Sequence, residues 1–361
     1  MHAAFPFGYP WPTAFYLSLY VLTLVGHVVC MNYVLAGSAY LAVVRWRKGT
    51  AAGDDPAAAL LVDWLPLMLS LAITAGIAPL LFVQILYRPQ FYTANLLLFH
   101  RWMAILPVLI VGFYLLYLIR KPALRARFPR LERLATIAVF GCFAFIGWSW
   151  TENHLLSLQS QAVWTAEYAR SGWWYVPPEL LPRLATWLCG SFPTLAVWLL
   201  WQLRWTGPPI EPSAAAQLLP TQRRLARMAQ VALGLALLSG FLYSRWMPVE
   251  DRAVLASPLT RPWLGAALAG AAMQAISCWQ MLSRGEFQGG WLRFATAGVL
   301  LTTLGVAVLR EILRLARVDL SSLLPQHEAA FAVGGLGIFA IFLVLNSALI
   351  VWCIRLTRQP A

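Results

Sequence analysis

The chain has 361 residues, 60% of them hydrophobic and only 11% charged, with a formal net charge of +13. A water-soluble globular domain carries roughly 25% charged residues, so this composition excludes one. Apolar runs longer than the roughly 20 residues that span a bilayer recur along the chain, and they are continuous rather than alternating, which excludes a transmembrane barrel. The arginines lie beside these runs, where loop charge sets orientation, and not in one patch or stripe. No nucleic-acid partner is therefore expected.

In chain order, the N-terminal MHAAFPFGYPWP has no basic region and no small-residue cleavage site, so the first apolar run is expected to act as its own insertion signal. Nine spans are predicted, at roughly 15–44, 62–87, 98–119, 134–152, 184–204, 225–245, 262–282, 291–313 and 329–354. Turn-forming linkers separate them: GTAAGDDP, RKPALRARFPR, TGPPIEPSAAA and SRGEFQGG. Alternate loops differ in basic content. One set holds Arg45, Arg47 and Lys48, the six cations from Arg120 to Arg133, then Arg204, Arg223, Arg224, Arg227, Arg284, Arg293, Arg355 and Arg358. The other holds only Arg88, Arg101, Arg170, Arg183, Arg252, Arg261 and Arg317. The richer set should be cytoplasmic, which places the N-terminus outside and the C-terminus inside. The expected fold is an all-α integral membrane protein, multi-pass in a bacterial-type inner (plasma) membrane, with 1–361 a single polytopic domain.

The outer loop at 153–182 carries too few charges for a free soluble domain. Its segment LLSLQSQAVWTAEYA sets Leu155, Leu158, Ala162 and Tyr168 near one helical face, which predicts a short helix lying on the outer surface. Trp173, Trp174 and Tyr175 read as interfacial anchors in contact with membrane lipid. The five cysteines, Cys30, Cys142, Cys189, Cys278 and Cys353, are scattered without a C-x-x-C spacing and read as small buried hydrophobes. No internal repeat is evident, so an inverted-repeat transporter lacks its main sequence pointer.

His27 sits inside the first span, in its outer half. An imidazole in hydrocarbon needs a partner, and no acid in that span can serve. His100 falls at the outer start of the third span, His154 just past the outer end of the fourth, and His327 just before the ninth. Glu152 and Glu328 share that level, and VLREILRLARVD brings Arg310, Glu311, Arg314 and Arg317 to it. Arg310 and Arg314 are four apart and share a helix face. Imidazoles and guanidiniums on one side of a helical bundle suit a haem, whose iron takes imidazole nitrogen and whose propionates pair with arginine forks. Hydrogen-bonded packing is the plain alternative for each histidine, and snorkelling to headgroups for the arginines. Without C-x-x-C-H a haem would be held by coordination and packing alone. Four histidines near the membrane are too few for a haem–copper oxidase core, and no span carries the histidine pair of a bc-type cytochrome b.

Two stretches carry a family resemblance. AFYLSLYVLTLVGHVVCMNYVLAGSAYLAVV and LAITAGIAPLLFVQILYRPQFYTANLL resemble the first two spans of the large subunit (subunit I) of cytochrome bd-type quinol oxidases. The resemblance implies that His27 ligates a b-type haem, with Gly37 and Gly76 as the family's glycines. The departures are specific. The family has a glutamate four residues after its counterpart of Gly76, where this chain has Leu80, with Gln84 the only polar group nearby. The outer loop between spans six and seven is reduced to about 247–261, and the family's Gly-Arg-Gln-Pro-Trp stretch is absent. Oxygen reduction is therefore not carried over.

The expected function is that of a membrane b-type haem subunit of a respiratory electron-transfer complex. It would pass electrons between quinol and an external cytochrome-like acceptor, with other respiratory subunits and possible c-type cytochromes as partners. His27 is the expected iron ligand. His100, His154 or His327 would supply a second ligand or a proton relay, and Arg310 and Arg314 would hold propionates. The alternative is a cofactor-free membrane anchor or scaffold subunit.

Overall fold

Long apolar runs, punctuated by proline and glycine, fold into helices throughout. The computed structural model describes residues 5–48, 55–170, 172, 174–206, 212–287 and 289–356. Residues 49–54, 207–211 and 288, which are parts of three expected linkers, lie outside the described residues, as do His2, Trp173 and Arg358. In chain order the helices are α1 (Trp11–Lys48), α2 (Pro56–Leu86), α3 (Arg88–Leu97), α4 (Phe99–Ile119), α5 (Pro122–Arg127), α6 (Pro129–Ser157) and α7 (Gln161–Arg170). They continue as α8 (Leu180–Thr206), α9 (Pro212–Trp246), α10 (Val249–Leu255), α11 (Arg261–Arg284), α12 (Gly290–Arg317), α13 (Leu324–Ala332) and α14 (Gly335–Leu356). No strand occurs among the described residues.

Local chemistry explains the ends. Asp55 caps α2, its carboxylate accepting from the amides of Ala57 at 3.2 Å and Ala58 at 3.3 Å, and Pro56 opens the helix where no amide partner is needed. Arg88-Pro89 restarts the chain as α3 after Tyr87. Gly285 closes α11 in the left-handed conformation, φ +67°, a role that favours glycine.

Among the described residues, seven helices are long and apolar enough to cross a membrane: α1, α2, α4, α6, α8, α9 and α12. An eighth crossing arises if α13 and α14, which meet at a 71° bend, form one broken span. The remaining expected span is α11. Its sequence, RPWLGAALAGAAMQAISCWQMLSR, is built from alanine and glycine, so its hydropathy is low although it is 24 residues long. Close packing is the reason for that composition. A Cβ on Gly270 would lie 2.7 Å from the Gly298 carbonyl oxygen, and one on Gly305 would lie 2.8 Å from the Ala267 amide nitrogen, so the α11 and α12 backbones touch.

The bundle is apolar on its outer surface, and its apolar core also buries polar side chains. Leu67, Ile73, Ile77 and Leu81 of α2 and Leu235, Leu238 and Leu242 of α9 are exposed. Asn32, Ser191, Thr194, Gln202, Gln274 and Ser277 are buried. Their polar groups meet between helices: Trp187 donates to Asn32 at 3.1 Å, Tyr33 to Gln202 at 3.0 Å and Gln274 to Thr302 at 2.9 Å. Hydrocarbon offers no partner to such groups, so they pair inside. At one end, buried Arg45 meets Glu132 at 3.0 Å, joining α1 to α6, and Arg224 meets Asp55 at 2.7 Å, joining α9 to α2.

The outer segment differs from its expected boundaries. α6 runs on to Ser157, because Glu152, Asn153 and His154 are buried and bonded to other helices. Leu155 therefore belongs to α6 and Leu158 caps it, while the separate helix is α7, none of whose residues is buried. Cys30, Cys142, Cys189 and Cys278 are free thiols.

The α11–α12 contact is directly testable. Gly298→Ala places a methyl 2.7 Å from a backbone oxygen and 3.0 Å from Met273 Cβ. It should destabilise by about 1–3 kcal/mol, the usual cost of overpacking. Gly141→Ala, with nothing within 4 Å, should leave the melting temperature in detergent unchanged or higher.

Candidate functional site

The antiparallel helices bring one end of α1, α2, α6 and α12 together, and the polar residues singled out in the sequence collect there. On α1, Thr13, Tyr20 and His27 are spaced by seven and therefore share one face. On α12, Arg310, Arg314 and Arg317 follow at i, i+4 and i+7. These two faces meet. Arg310 donates to the Tyr20 hydroxyl at 2.9 Å and to His154 Nδ1 at 3.3 Å. Arg314 donates to the same His154 Nδ1 at 2.6 Å and to Tyr20 at 3.4 Å. Its guanidinium lies 5.5 Å from the Tyr20 ring and 4.6 Å from the Tyr87 ring, and 3.5 Å from the Glu311 carboxylate. Tyr87 donates a short hydrogen bond to the other Glu311 oxygen. Both arginines thus point into the bundle.

Three guanidiniums bear on His154: Arg310, Arg314 and Arg183, the last of which also donates to the Tyr243 hydroxyl at 3.4 Å. Among the described residues, the one carboxylate ion-paired within this group is Glu311. Arg317, at the rim, is matched by a bidentate bond to Asp251 at 2.7 and 2.8 Å. The cluster therefore carries surplus positive charge in a setting of low dielectric, which favours an anionic ligand.

Hydrogen bonding fixes the histidine tautomers. A carbonyl only accepts and a guanidinium only donates. His327 Nε2 therefore donates to the Leu86 carbonyl at 3.2 Å, and its Nδ1 accepts from Thr13 Oγ1 at 2.9 Å, so both nitrogens are used. His154 accepts at Nδ1, so in the neutral ring its proton is on Nε2. His27 is the reverse case. Its Nδ1 donates to the Ala72 carbonyl at 2.9 Å, which leaves a lone pair on Nε2. The ring lies against Gly76, where a Cβ would be 2.9 Å from its Nδ1 and Cε1. The Arg310 charge is near enough to act on His27, which links it to the cluster. His100 stands apart, exposed at the start of α4 with its ring edge-on to Phe99 at 5.6 Å.

A second buried network docks the outer segment. Arg101 meets Glu152 at 2.6 Å with 5% and 0% of their side chains exposed. Trp148 donates to Glu152 at 2.7 Å, and the Trp174 ring lies over the Arg101 guanidinium at 4.5 Å. Trp174 thus packs on a buried cation as well as facing outward. Beside it, burial and the neighbouring Glu179 and Glu167 push the Tyr175 phenol up to about 12.

The fold has a known counterpart. Over 97% of its length the chain superimposes on 99% of a chain from the bd oxidase structure of Geobacillus thermodenitrificans, with a TM-score of 0.67 and 12% identity. No family model matches the sequence, and the search of curated proteins returned no significant match. The chain thus shares the architecture of a bd oxidase chain at an identity that speaks to fold alone.

Sequence reasoning brought His27, His154, Arg310 and Arg314 to one level, but missed Tyr20, Tyr87 and Arg183 as members of the cluster. Tyr20 was within reach: it is seven residues from His27 on a helix. Tyr87 and Arg183 come from the ends of other helices, and no local spacing marks them.

Arg314→Leu should cost about 3–5 kcal/mol in unfolding assays, because it leaves the fully buried Glu311 carboxylate uncompensated. Arg310→Leu, which breaks no carboxylate pair among the described residues, should cost far less, and Arg314→Leu/Glu311→Leu should recover most of the loss.

Proposed function

We propose that this chain is a membrane b-type haem subunit of a respiratory electron-transfer complex, passing electrons from quinol to an acceptor outside the chain. The observation that carries this reading is the tautomer of His27, which alone among the three histidines bonded inside the bundle keeps a bare Nε2. A carbonyl bond to the opposite nitrogen is the arrangement that orients imidazole ligands and raises their basicity. The shared architecture with a bd oxidase chain supports it.

The donor set fits a haem. Imidazole Nε2 suits iron, and Arg310, unpaired with any carboxylate among the described residues, suits a propionate. Arg314 is already committed to Glu311, Tyr20 and Tyr87, so its part is to hold Tyr20 and His154, the two groups that Arg310 also bonds, in place. A haem here supplies a one-electron carrier. His154, with its proton on Nε2, is suited to donate a hydrogen bond to a quinol oxygen and to relay a proton. His327 and exposed His100 are less suited to iron: the first has both nitrogens engaged, and the second lies off the cluster.

We also infer nine crossings with the N-terminus outside. At 24 residues and about 1.5 Å per residue, α11 exceeds the ~30 Å hydrocarbon thickness. It packs between α9 and α12, both long enough to cross. A reporter fused after Ala361 should be active only in the cytoplasm; activity on the outside would remove one crossing from this topology.

The decisive test is optical. Protein purified with its partners should show a b-type haem spectrum that changes on reduction with dithionite. His27→Ala should remove one haem signal while the protein still inserts. Gly76→Val should do the same by pushing the ring off its seat. Absence of haem from the wild type would leave the alternative of a cofactor-free anchor subunit. Haem that survives His27→Ala unchanged would move the ligand elsewhere.

A further inference from the structure

The end of the bundle opposite the histidine cluster holds a second concentration of positive charge, and this one opens outward. From Arg120 to Arg133 the chain carries six cations and one acid, Glu132. The turn between α4, α5 and α6 encloses a cavity of about 350 Å³ whose charged lining is Arg120, Lys121 and Arg125. The acids in reach do not neutralise it. Glu132 is buried and sits 3.0 Å from Arg45 against 3.7 Å from Arg125, so its charge is mainly committed to Arg45. Asp63 lies 3.8 Å from Arg120 with both groups exposed, where such a pair is weak. The Arg125 Nε is buried without a hydrogen-bond acceptor among the described residues.

The surface beside the cavity changes character abruptly. Tyr117 and Leu118 of α4, and Leu131 and Leu134 of α6, are exposed large apolar residues. Both helices are apolar enough to cross a membrane, so these side chains form an exposed apolar wall at the ends of two membrane-length helices. A site that is cationic at the helix ends and apolar along the adjoining helix faces matches one amphiphile.

We propose that this cavity binds the phosphate-bearing headgroup of an anionic phospholipid, with its acyl chains lying along the α4–α6 surface. A free phosphate would use the guanidiniums but not the apolar wall. A zwitterionic lipid would use the wall, but its own cation would oppose Arg120, Lys121 and Arg125. Basic groups at the membrane surface are worth most against lipids of net negative charge.

The test uses the full-length protein in detergent, with bound lipid counted by native mass spectrometry. Equimolar phosphatidylglycerol and phosphatidylcholine are offered, with and without millimolar inorganic phosphate. The wild type should retain phosphatidylglycerol in preference by about tenfold, as expected for several surface cations acting together. Arg120→Gln/Lys121→Gln/Arg125→Gln should erase that preference. Arg127→Gln/Arg130→Gln, outside the cavity lining, should keep it. Melting temperatures check that each variant is folded, and Lys121→Gln alone, at an exposed residue, should reduce the preference if the triple variant does not fold. Equal retention of the two lipids, or equal loss in both variant sets, would overturn the proposal. Displacement of the lipid by inorganic phosphate would overturn it in favour of a free-phosphate site.

Discussion

A guanidinium inside a membrane bundle cannot shed its proton and must be neutralised where it stands, and Arg314 is the point at which four helices meet that demand. Its own helix supplies Glu311 at 3.5 Å. α1 supplies the Tyr20 ring, the end of α2 supplies Tyr87, and α6 supplies His154 at 2.6 Å. Removing any one partner leaves a buried charge or dipole unmet, which is costly at low dielectric. The cluster therefore sets the register of α12 against the other three helices. It also determines the His154 tautomer and holds Arg310, one turn deeper, against Tyr20.

Two different kinds of contact hold the rest of the bundle. Between α11 and α12 the driving force is close approach: glycines at 270, 298 and 305 let backbones touch, and Gln274 and Thr302 bond across the seam. Between α1, α2, α6 and α9 the ends opposite the histidine cluster are tied by the ion pairs Arg45–Glu132 and Arg224–Asp55. The apolar effect does little to associate helices in lipid, because acyl chains solvate leucine as well as leucine does. That is why large apolar residues such as Leu67, Ile77, Leu238 and Leu242 can remain on the outside, while Asn32, Gln202 and Gln274 are within.

Positive charge is thus used in opposite ways at the two ends. At one end Arg183, Arg310 and Arg314 converge inward on an imidazole and a single carboxylate, making a site that favours an anionic group inside the protein. At the other, Arg120, Lys121 and Arg125 line a cavity that opens beside an exposed apolar wall. The same residue type is buried at Arg314 in the first case and exposed at Arg120 in the second, and the difference lies in whether neighbouring helices close over it.

The sequence by itself determined the class of protein, the placement of seven of its membrane-length helices and the common level of His27, His154, Arg310 and Arg314. Those properties depend on hydropathy and on spacing along one helix, which are local. α11 was among the expected spans, at 262–282, but its length and composition could not reveal that alanine and glycine there serve a backbone contact with α12. The sequence pattern ended α6 too early, because Glu152 and His154 read as interfacial until Arg101 and Arg314 are seen to bury them. Tertiary structure alone decided which histidine keeps a free nitrogen. His27, His154 and His327 are chemically alike in sequence. Their tautomers depend on Ala72, on Arg314 and on Leu86 with Thr13, partners that lie 45, 160, 241 and 314 residues away along the chain. Protonation at a given ring nitrogen is set by the donor or acceptor that reaches it, and only the folded bundle brings those groups within hydrogen-bond distance.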